Sequence, residues 1–224
     1  MSLFVILLGG DLVATPRLAA QCAGARVIAA DSGIRYAGIA GMMPELWVGD
    51  FDSATEEDFR QHAAVPRRTF PAAKDNTDGE LAVDIALEMG ATSLILAGAF
   101  GGSRADHAFL HLALGLRLAG RGLGVTLTSG DQEGHPLPLG WSEWDYAPDT
   151  LFSVLGFNDL VGLSVEGAQW PLDRIEMPFG SSLTMSNRVP GRLRIGLERG
   201  RAMLVAHPGA SCWLRRSSSS TRSA

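Results

Sequence analysis

Cysteine is scarce in this chain of 224 residues, which contains only Cys22 and Cys212. The two lie far apart and do not have the spacing of a metal or redox motif. Because they form no disulfide framework, the sequence predicts a protein of a reducing compartment, most simply the cytoplasm. Long apolar runs are also missing. Segment 1–8 is apolar but is interrupted by Gly9-Gly10-Asp11, which predicts a buried strand and not a signal peptide or a membrane span.

Clusters of lysine and arginine are absent from the body of the chain. It has 19 basic and 24 acidic residues, for a formal net charge of −5. Nucleic-acid binding needs clustered cations to neutralise phosphates, so the sequence predicts no nucleic-acid partner. A hydrophobic share of 46% and a charged share of 19% fit a globular protein with a full core. The length allows one large or two small domains.

Five apolar runs alternate with helix-like segments in the first 130 residues. The runs are 3–8, 26–30, 46–48, 93–97 and 125–128. The helix-like segments are 15–23, 34–40, 55–63, 78–89 and 105–119. Runs without polar alternation are typical of parallel strands covered on both faces, so we predict a mostly parallel, three-layer α/β domain over 1–130. Polar motifs follow the runs, at the sheet edge where such folds bind ligands.

The pattern changes after residue 130. A connecting segment, 131–149, is rich in proline and glycine, and the apolar runs beyond it are short. No part of this region has the length and period of a good helix, which predicts a small antiparallel β-sandwich domain over 131–212. The serine-rich tail 213–224 is expected to be disordered. The connection carries Trp141 and Trp144, to which the sequence assigns no role.

The densest polar chemistry follows the third apolar run, in Gly49-Asp50-Phe51-Asp52-Ser53. If the backbone stays extended, Asp50 and Asp52 leave on the same face. Carboxylates about 4 Å apart repel by about 4 kcal/mol at an effective dielectric near 20, so a pair held together needs a cation, a proton or open water. The alternative is a solvated turn in which Ser53 and Glu56 cap a helix. This stretch alone leaves the two interpretations equal.

Two glycine-containing turns follow the first two runs. Gly9-Gly10-Asp11 lacks the dinucleotide and Walker patterns, so a tight turn is favoured there. Asp31, in Asp31-Ser32-Gly33, can cap the next helix or accept hydrogen bonds from a ribose or a base. Capping is favoured when this position is considered alone.

The segment Lys74-Asp75-Asn76-Thr77-Asp78-Gly79-Glu80 opens the fourth predicted helix. Thr77 or Asp78 can be the N-cap, and acidic residues suit a first turn. Three acids and a lysine in seven residues exceed what capping requires. A helix N-terminus beside Lys74 can bind phosphate, while Asp75 and Asp78 bind a cation.

A glycine-rich turn, 98–107, opens the fifth predicted helix. Its glycines allow the backbone to approach a ligand, and Arg104 can contact a phosphate through its planar fork. Asp106 can cap the helix or orient Arg104. His107 and His111 are four apart, but no third ligand has a suitable zinc spacing, so a structural role is favoured for His111. The helix is apolar almost all round, which predicts that it is buried.

In the second domain, Trp170-Pro171-Leu172 and Thr184-Met185-Ser186-Asn187 stand out. An aromatic face beside small polar groups can hold a flat heterocycle. The alternative is a core tryptophan and a turn, which is favoured without further context.

Oxygen ligands with little sulfur or imidazole favour Mg²⁺. Mg²⁺ together with arginine and lysine is the equipment of phosphoryl-type transfer from a nucleotide. A Mg²⁺-dependent nucleotide or phosphate-ester hydrolase would use the same acids, but it gives no reason for the Trp170 and Ser186-Asn187 motifs. A non-catalytic sensor of a nucleotide or another small molecule would be expected to have lost acids that are present here.

In order and spacing, these motifs together resemble the thiamine pyrophosphokinase (thiamine diphosphokinase) family. The matching motifs are Asp31–Gly33, Gly49–Ser53, Lys74–Glu80, Gly101–His107, Trp170–Leu172 and Ser186-Asn187. The resemblance spans about residues 3–207. It implies an α/β nucleotide-binding domain followed by a β-sandwich, in a homodimer. It also implies transfer of the terminal diphosphate of ATP to the hydroxyethyl group of thiamine, giving thiamine diphosphate and AMP.

The resemblance assigns a role to each group of residues. It implies the catalytic acids Asp50, Asp52, Asp75 and Asp78, and Mg²⁺ ligands at Asp50, Asp52 and Asp78. It implies ATP contacts at Asp31, Lys74, Thr77, Arg104 and Asp106. It implies thiamine contacts, at a homodimer interface facing the partner's α/β domain, at Trp170, Leu172, Ser186 and Asn187. The chain departs from the family pattern at Ser103, which stands between Gly-Gly and Arg104.

Overall fold

The structure is a computed structural model that describes residues 2–71, 73 and 75–208. Contacts between residues divide the chain into a first unit, Met1–Gly130, and a second unit, Asp131–Ala224. The predictions for Lys74, Cys212 and the tail 213–224 fall outside the described residues.

A parallel β-sheet forms the centre of the first unit. Its strands, counted over the described residues, are β1 (Leu3–Leu7), β2 (Arg26–Ala30), β3 (Leu46–Gly49), β4 (Arg67–Thr69), β5 (Ser93–Ala97) and β6 (Gly124–Thr128). They pair in the order β6-β5-β1-β2-β3-β4, and every pair is parallel. The chain builds outward from β1 to β4 and then returns to add β5 on the other side of β1. The predicted α/β fold is confirmed, and ligands of such sheets bind where the strand order reverses.

Helices connect these strands. Within the described part of the chain they are α1 (Pro16–Cys22), α2 (Glu56–Gln61), α3 (Asp78–Glu88) and α4 (Ala105–Ala119). Thr55 caps α2 by accepting a hydrogen bond from the Asp58 N–H, and the Asp58 carboxylate accepts one from the Thr55 N–H in return. The prediction that Ser53 and Glu56 form this capping box is therefore wrong. The true box begins two residues later because Ser53 has another partner, described below.

The helix predicted over 34–40 is also wrong. Two 3₁₀ segments, Asp31–Tyr36 and Ile39–Gly41, occupy this region. Gly38 has φ 83° and Ala40 has φ 50°, and these left-handed residues interrupt any regular helix. A seven-residue pattern is too short to distinguish an α-helix from such turns.

Helix α4 buries one face. His111, Leu114, Gly115 and Leu118 are buried, whereas Phe109 is exposed. The prediction that α4 is buried all round is therefore wrong for its first turns. The described helices include none with the length and apolar character that a membrane span requires.

Trp47 anchors the core beneath β3. Its side chain is fully buried, and its ring lies 4.9 Å from that of Phe51 and 5.2 Å from that of Phe59. The indole Nε1 donates a hydrogen bond to the backbone carbonyl of Asp31 at 2.8 Å. A buried N–H needs such a partner, so the packing of this ring also fixes the backbone at Asp31.

Antiparallel strands form the second unit. Over its described residues they are β7 (Glu133–Pro136), β8 (Gly140–Trp144), β9 (Leu151–Gly156), β10 (Leu160–Glu166), β11 (Leu172–Met177), β12 (Asn187–Arg188), β13 (Leu193–Leu197) and β14 (Ala202–His207). One set pairs as β12-β9-β14-β7 and the other as β11-β10-β13-β8. Phe152 and Val154 from the first set share a buried core with Leu163 and Ile195 from the second. The predicted antiparallel β fold is confirmed.

We expect Gly33→Ala to destabilise the first unit. A Cβ at Gly33 would lie 2.1 Å from the carbonyl oxygen of Leu7 in β1, which is backbone and cannot rotate away. Overpacking of this kind costs about 1–3 kcal/mol of unfolding free energy, measurable by urea denaturation followed by circular dichroism. The matched control is Gly120→Ala, whose Cβ would meet its neighbours at 3.4 and 3.5 Å, an ordinary contact distance. Equal stability of the two variants would contradict the steric argument.

Candidate active site

A cleft of about 570 Å³ opens at the carboxyl edge of the parallel sheet. Turns after β1, β2, β3 and β5 line it, together with the first residues of α3 and α4. Because β1 and β5 flank the reversal of strand order, the cleft lies where this class of fold binds ligands. Its lining includes Gly9, Asp31, Asp52, Asp78 and Arg104. The structure therefore brings together residues from five separate parts of the first unit.

Three carboxylates converge in this cleft. Asp31, Asp50 and Asp52, hereafter the acid trio, each place a carboxylate oxygen within 4.8 Å of the other two. Sequence reasoning predicted Asp50 and Asp52 as a pair but assigned Asp31 to the nucleotide. Asp78, predicted as a further metal ligand, lines the same cleft. The structure thus adds Asp31 to the predicted pair.

A tight turn brings Asp50 and Asp52 together. The Asp52 N–H donates to Asp50 Oδ1 at 3.2 Å, and Phe51 between them has φ 63°. The assumption of an extended backbone here is therefore wrong, although its conclusion that the carboxylates meet is correct. A left-handed non-glycine residue costs about 1–3 kcal/mol, and packing of the Phe51 ring against Trp47 offsets part of that cost.

Asp31 is held from both its backbone and its side chain. Its φ is 45°, its carbonyl accepts from Trp47 Nε1, and its Oδ2 accepts from Ser53 Oγ at 2.6 Å. Its Oδ1 is buried and has no hydrogen-bond partner among the described residues. Asp31 does not cap the following segment, because the N-cap is Ala30 and it has no side-chain cap hydrogen bond. The capping hypothesis for Asp31 is therefore wrong.

The electrostatics of the acid trio favour a cation. The pKa of Asp52 lies above its usual value, chiefly because the charge of Asp50 opposes its ionisation, with a further contribution from Asp31. An unpartnered buried carboxylate oxygen is costly unless a positive group satisfies it. Carboxylate oxygens are also the ligands that Mg²⁺ prefers. The residues present therefore fit a Mg²⁺ ion.

The start of α3 forms a second side of the cleft. Thr77 is its N-cap: the Thr77 Oγ1 accepts from the Glu80 N–H, and the Glu80 carboxylate accepts from the Thr77 N–H at 3.1 Å. The predicted Thr77 hydroxyl is thus engaged in capping. Asn76, Asp78 and Gly79 line the cleft, whereas Asp75 is exposed outside its lining. The N-terminus of an 11-residue helix offers free N–H groups and a favourable dipole to a phosphate.

The glycine turn before α4 forms the third side. Gly101 and Gly102 have φ 64° and 76°, and a Cβ at Gly101 would lie 2.0 Å from the Asp11 carboxylate. Arg104 donates from Nε and Nη2 to the two oxygens of Asp106 at 3.0 and 2.7 Å. This ion pair holds the pKa of Asp106 well below its usual range. Asp106 therefore orients Arg104, and Ser103 beside it lines the cleft.

The two histidines of α4 do not resemble a zinc site. His111 is buried, and its Nδ1 lies 3.2 Å from the carbonyl oxygen of Ala99. Burial lowers the pKa of His111, which favours the neutral ring. Among the residues that the structure describes, the acid trio is the group of at least three His, Cys, Asp or Glu side chains close enough together to hold a metal, and it includes neither histidine. The structural role predicted for His111 agrees with these contacts.

The predicted thiamine residues of the second unit divide into two groups. Asn187 is buried; its Oδ1 accepts from the Trp170 N–H at 3.1 Å, and its Nδ2 donates to the Trp170 carbonyl at 2.8 Å. Ser186, with φ 61°, is next in the chain, and the Trp170 side chain is 55% exposed. Leu172 instead lines a cleft of about 380 Å³ beside Trp141, and Trp170 is not among the residues lining it. Asn187 therefore positions Trp170 through its backbone.

Sequence reasoning missed two residues that line the cleft or contact its lining. Arg35 lines the cleft and forms an ion pair with the buried carboxylate of Asp58 at 3.0 Å. Tyr36 donates from its hydroxyl to the carbonyl of Gly10 at 2.5 Å. Both lie in the segment interpreted as a helix, so their side chains were not placed at the sheet edge. A pattern that signalled 3₁₀ geometry after Asp31 would have revealed them.

Comparisons with known proteins identify the family. The family model of the thiamin pyrophosphokinase catalytic domain matches residues 21–127, and that of the vitamin B1 binding domain matches residues 146–200. Thiamine pyrophosphokinase from Bacillus subtilis (strain 168) is 31% identical over 156 residues, which are 67% of this chain and 72% of that protein. The chain belongs to the thiamine pyrophosphokinase family. The resemblance inferred from the motifs is confirmed, and with it the assignment to the ATP:thiamine diphosphotransferases.

Solved structures of the thiamine pyrophosphokinase family share the fold. The structure from Bacillus subtilis has a TM-score of 0.79 and 26% identity, covering 92% of this chain and 99% of that one. The thiamin pyrophosphokinase from Candida albicans has a TM-score of 0.74 at 13% identity, covering 92% of this chain and 89% of that one. The fold is thus retained even where the sequence identity is low.

We expect Asp58→Asn to make the free energy of unfolding less dependent on pH in the acidic range. Arg35 and the Thr55 N–H lower the pKa of Asp58 from 3.8 to about 2. A depressed carboxyl pKa stabilises the folded state above pH 4, and this contribution is lost as the pH falls towards 2. Urea unfolding between pH 2 and 7 measures the slope. Glu57→Gln, a surface change in the same helix, should leave the slope unchanged; an unchanged slope for Asp58→Asn would contradict the prediction.

Proposed function

We propose that this chain is a thiamine diphosphokinase that transfers the diphosphate group of ATP to the hydroxyethyl oxygen of thiamine. The hydroxyl oxygen forms a bond to the β-phosphorus of ATP, the bond between that phosphorus and the α,β-bridging oxygen breaks, and AMP leaves with that oxygen. Of the two acids proposed from the sequence for accepting the hydroxyl proton, Asp52 and Asp75, we propose Asp52, because it lines the cleft whereas Asp75 lies outside its lining. One observation carries the proposal: in a chain of this family, three carboxylates, one of which has a buried oxygen without a partner, converge in the cleft at the carboxyl edge of the parallel sheet.

The acid trio would hold Mg²⁺, with Asp78 on the same cleft. When bound, the ion supplies positive charge that neutralises the phosphate oxygens of ATP. Asp31, Asp50 and Asp52 would fix the place of that charge, because the turn between Asp50 and Asp52 and the hydrogen bond from Ser53 to Asp31 hold the three carboxylates close together. Positioning and electrostatic stabilisation are the main contributions that proteins make to phosphoryl transfer.

The remaining cleft residues would bind and orient the phosphates of ATP. The start of α3 offers N–H groups, and the glycine turn allows close approach of the backbone. Arg104 keeps Nη1 available for phosphate, because Nε and Nη2 are bound to Asp106. Lys74 is proposed for the same role on the family resemblance. Side chains fixed by their own hydrogen bonds lose little freedom when ATP binds.

Thiamine would be held by the exposed ring of Trp170, beside Ser186. Asn187 contributes by fixing the backbone of Trp170. We propose on the family resemblance that the protein acts as a cytoplasmic homodimer, in which these residues of one copy serve the cleft of the other. Leu172 remains a proposed thiamine contact, although it lines the cleft beside Trp141.

A mass-spectrometric product assay with ATP, Mg²⁺ and thiamine tests the proposal. Thiamine diphosphate and AMP should form in equal amounts, and AMP release should stop when thiamine is omitted. Continued AMP or phosphate release without thiamine would instead support a Mg²⁺-dependent hydrolase. Binding of ATP and thiamine without formation of any product would support a non-catalytic thiamine or nucleotide sensor.

We expect Asp50→Asn to lower kcat by about 100-fold or more, because losing a charge-stabilising group in such a site costs at least that much. The amide removes one carboxylate from the acid trio but keeps its size. Asp84→Asn is the matched control, since Asp84 is exposed on α3 and does not line the cleft. Near-normal kcat for Asp50→Asn at saturating Mg²⁺ would overturn the metal assignment.

We expect Trp170→Ala to raise KM for thiamine about tenfold and to leave KM for ATP nearly unchanged, because stacking on an aromatic ring contributes about 1–3 kcal/mol. Steady-state kinetics with each substrate varied in turn measures both constants. Trp141→Ala is the comparison, because Trp141 is also half-exposed but lines the cleft that contains Leu172. A larger effect from Trp141→Ala would move the thiamine site to that cleft.

A further inference from the structure

Arg35 links three segments around the acid trio without belonging to it. It lies in the 3₁₀ segment Asp31–Tyr36 and lines the cleft. Its Nη2 donates to the carbonyl of Ser53 at 2.8 Å and to Asp58 Oδ2 at 3.0 Å, and its Nε donates to the same Asp58 oxygen at 3.2 Å. One planar side chain therefore connects the 3₁₀ segment, the turn after β3 and the start of α2.

Asp58 fixes Arg35 in this position. Its side chain is only 10% exposed, and one of its oxygens also accepts hydrogen bonds from the N–H and the hydroxyl of Thr55, both at 2.9 Å. The carboxylate thus completes the cap of α2 and binds the guanidinium at the same time. Since a helix cap and an ion pair share one group, the guanidinium has a rigid attachment.

Ser53 connects Arg35 to the acid trio. Its carbonyl is held by Arg35, and its hydroxyl donates to Asp31 Oδ2 at 2.6 Å. That hydrogen bond sets the plane of the Asp31 carboxylate, whose other oxygen is the buried, unpartnered one. Asp58, Arg35, Ser53 and Asp31 therefore form a continuous series of contacts that ends at the acid trio.

We propose that Arg35 is a positioning residue for the cation site: it fixes the turn that carries Asp50, Asp52 and Ser53, and through Ser53 it orients Asp31. This inference rests on the proposed function only in treating the acid trio as the cation site. The positive charge of Arg35 opposes a nearby cation by Coulomb repulsion. Its contribution to cation binding is therefore geometric, and charge and geometry predict opposite effects of its removal.

Arg35→Lys separates geometry from charge. Lysine keeps the charge but has no planar fork to hold Ser53 and Asp58 together. In protein free of ATP and thiamine, titration with Mn²⁺ followed by electron paramagnetic resonance should show a dissociation constant raised about tenfold, the size of effect typical of residues that orient metal ligands. An unchanged constant would overturn the proposal.

Arg26→Lys is the matched control. Arg26 forms a comparable surface ion pair with Glu45 at 2.7 Å, its side chain is 42% exposed against 46% for Arg35, and it does not line the cleft. Its substitution should leave the Mn²⁺ dissociation constant unchanged. An equal loss from both arginine variants would show a nonspecific effect and overturn the proposal.

Arg35→Gln gives a second test, because loss of the charge and loss of the positioning role change the affinity for Mn²⁺ in opposite directions. This variant also replaces Arg35→Lys if that one fails to fold. If the charge of Arg35 alone mattered, its loss would tighten Mn²⁺ binding. The positioning role predicts weaker binding instead, so tighter binding of Mn²⁺ would contradict it.

A double-mutant cycle with Ser53→Ala tests the route through Ser53. Alanine keeps the carbonyl that Arg35 binds but removes the hydroxyl that orients Asp31. Coupled residues give non-additive effects, so Arg35→Lys should weaken Mn²⁺ binding by less than about threefold in the Ser53→Ala background. A full tenfold loss in both backgrounds would refute the route.

The assay also separates this inference from the proposed function. A wild-type protein that binds no Mn²⁺ would contradict both the cation site and the role of Arg35. A wild-type protein that binds Mn²⁺ but forms no thiamine diphosphate would contradict the proposed function alone.

Discussion

Repulsion among Asp31, Asp50 and Asp52 is the constraint that shapes the first unit. Three carboxylate groups within 4.8 Å of one another would separate if their backbones could move. They stay together because each arises at the end of a strand of the same sheet, β2 or β3, whose pairing is fixed along its length. The buried sheet thus supplies the rigidity, and the exposed turns supply the charge.

Local backbone conformation adds to this arrangement. Asp31 and Phe51 both have positive φ, an unfavourable choice for residues other than glycine. The core holds them there, since Trp47 packs against Phe51 and donates a hydrogen bond to the Asp31 carbonyl. Strained residues of this kind cluster at functional sites when the surrounding structure determines them. The acid trio is therefore built by the packing beneath it as well as by its own sequence.

The sequence predicted the fold class and the convergence of its polar motifs, because unbroken apolar runs followed by acids imply one edge of a parallel sheet. It placed a helix at 34–40 because short periodicity does not reveal left-handed residues. It assigned Asp31 to the nucleotide and Ser53 to a helix cap. It did not predict the hydrogen bond between these two side chains, because that bond joins segments 22 residues apart. The two hydrogen bonds by which the Asn187 side chain holds the backbone of Trp170 were also missed, because they join positions 17 residues apart.

The buried indole of Trp47 has a consequence for observing the protein. Its ring packs against Phe51, which lies between Asp50 and Asp52 in the chain, and its Nε1 donates to the Asp31 carbonyl, so it contacts both turns that carry the acid trio from the buried side. Trp141 and Trp170, by contrast, are half in water. A change in the field or geometry of the three carboxylates therefore reaches a chromophore whose emission is spectrally distinct from that of solvated tryptophans. We therefore expect the fluorescence of Trp47 to respond when a cation compensates the negative charge of the three carboxylates.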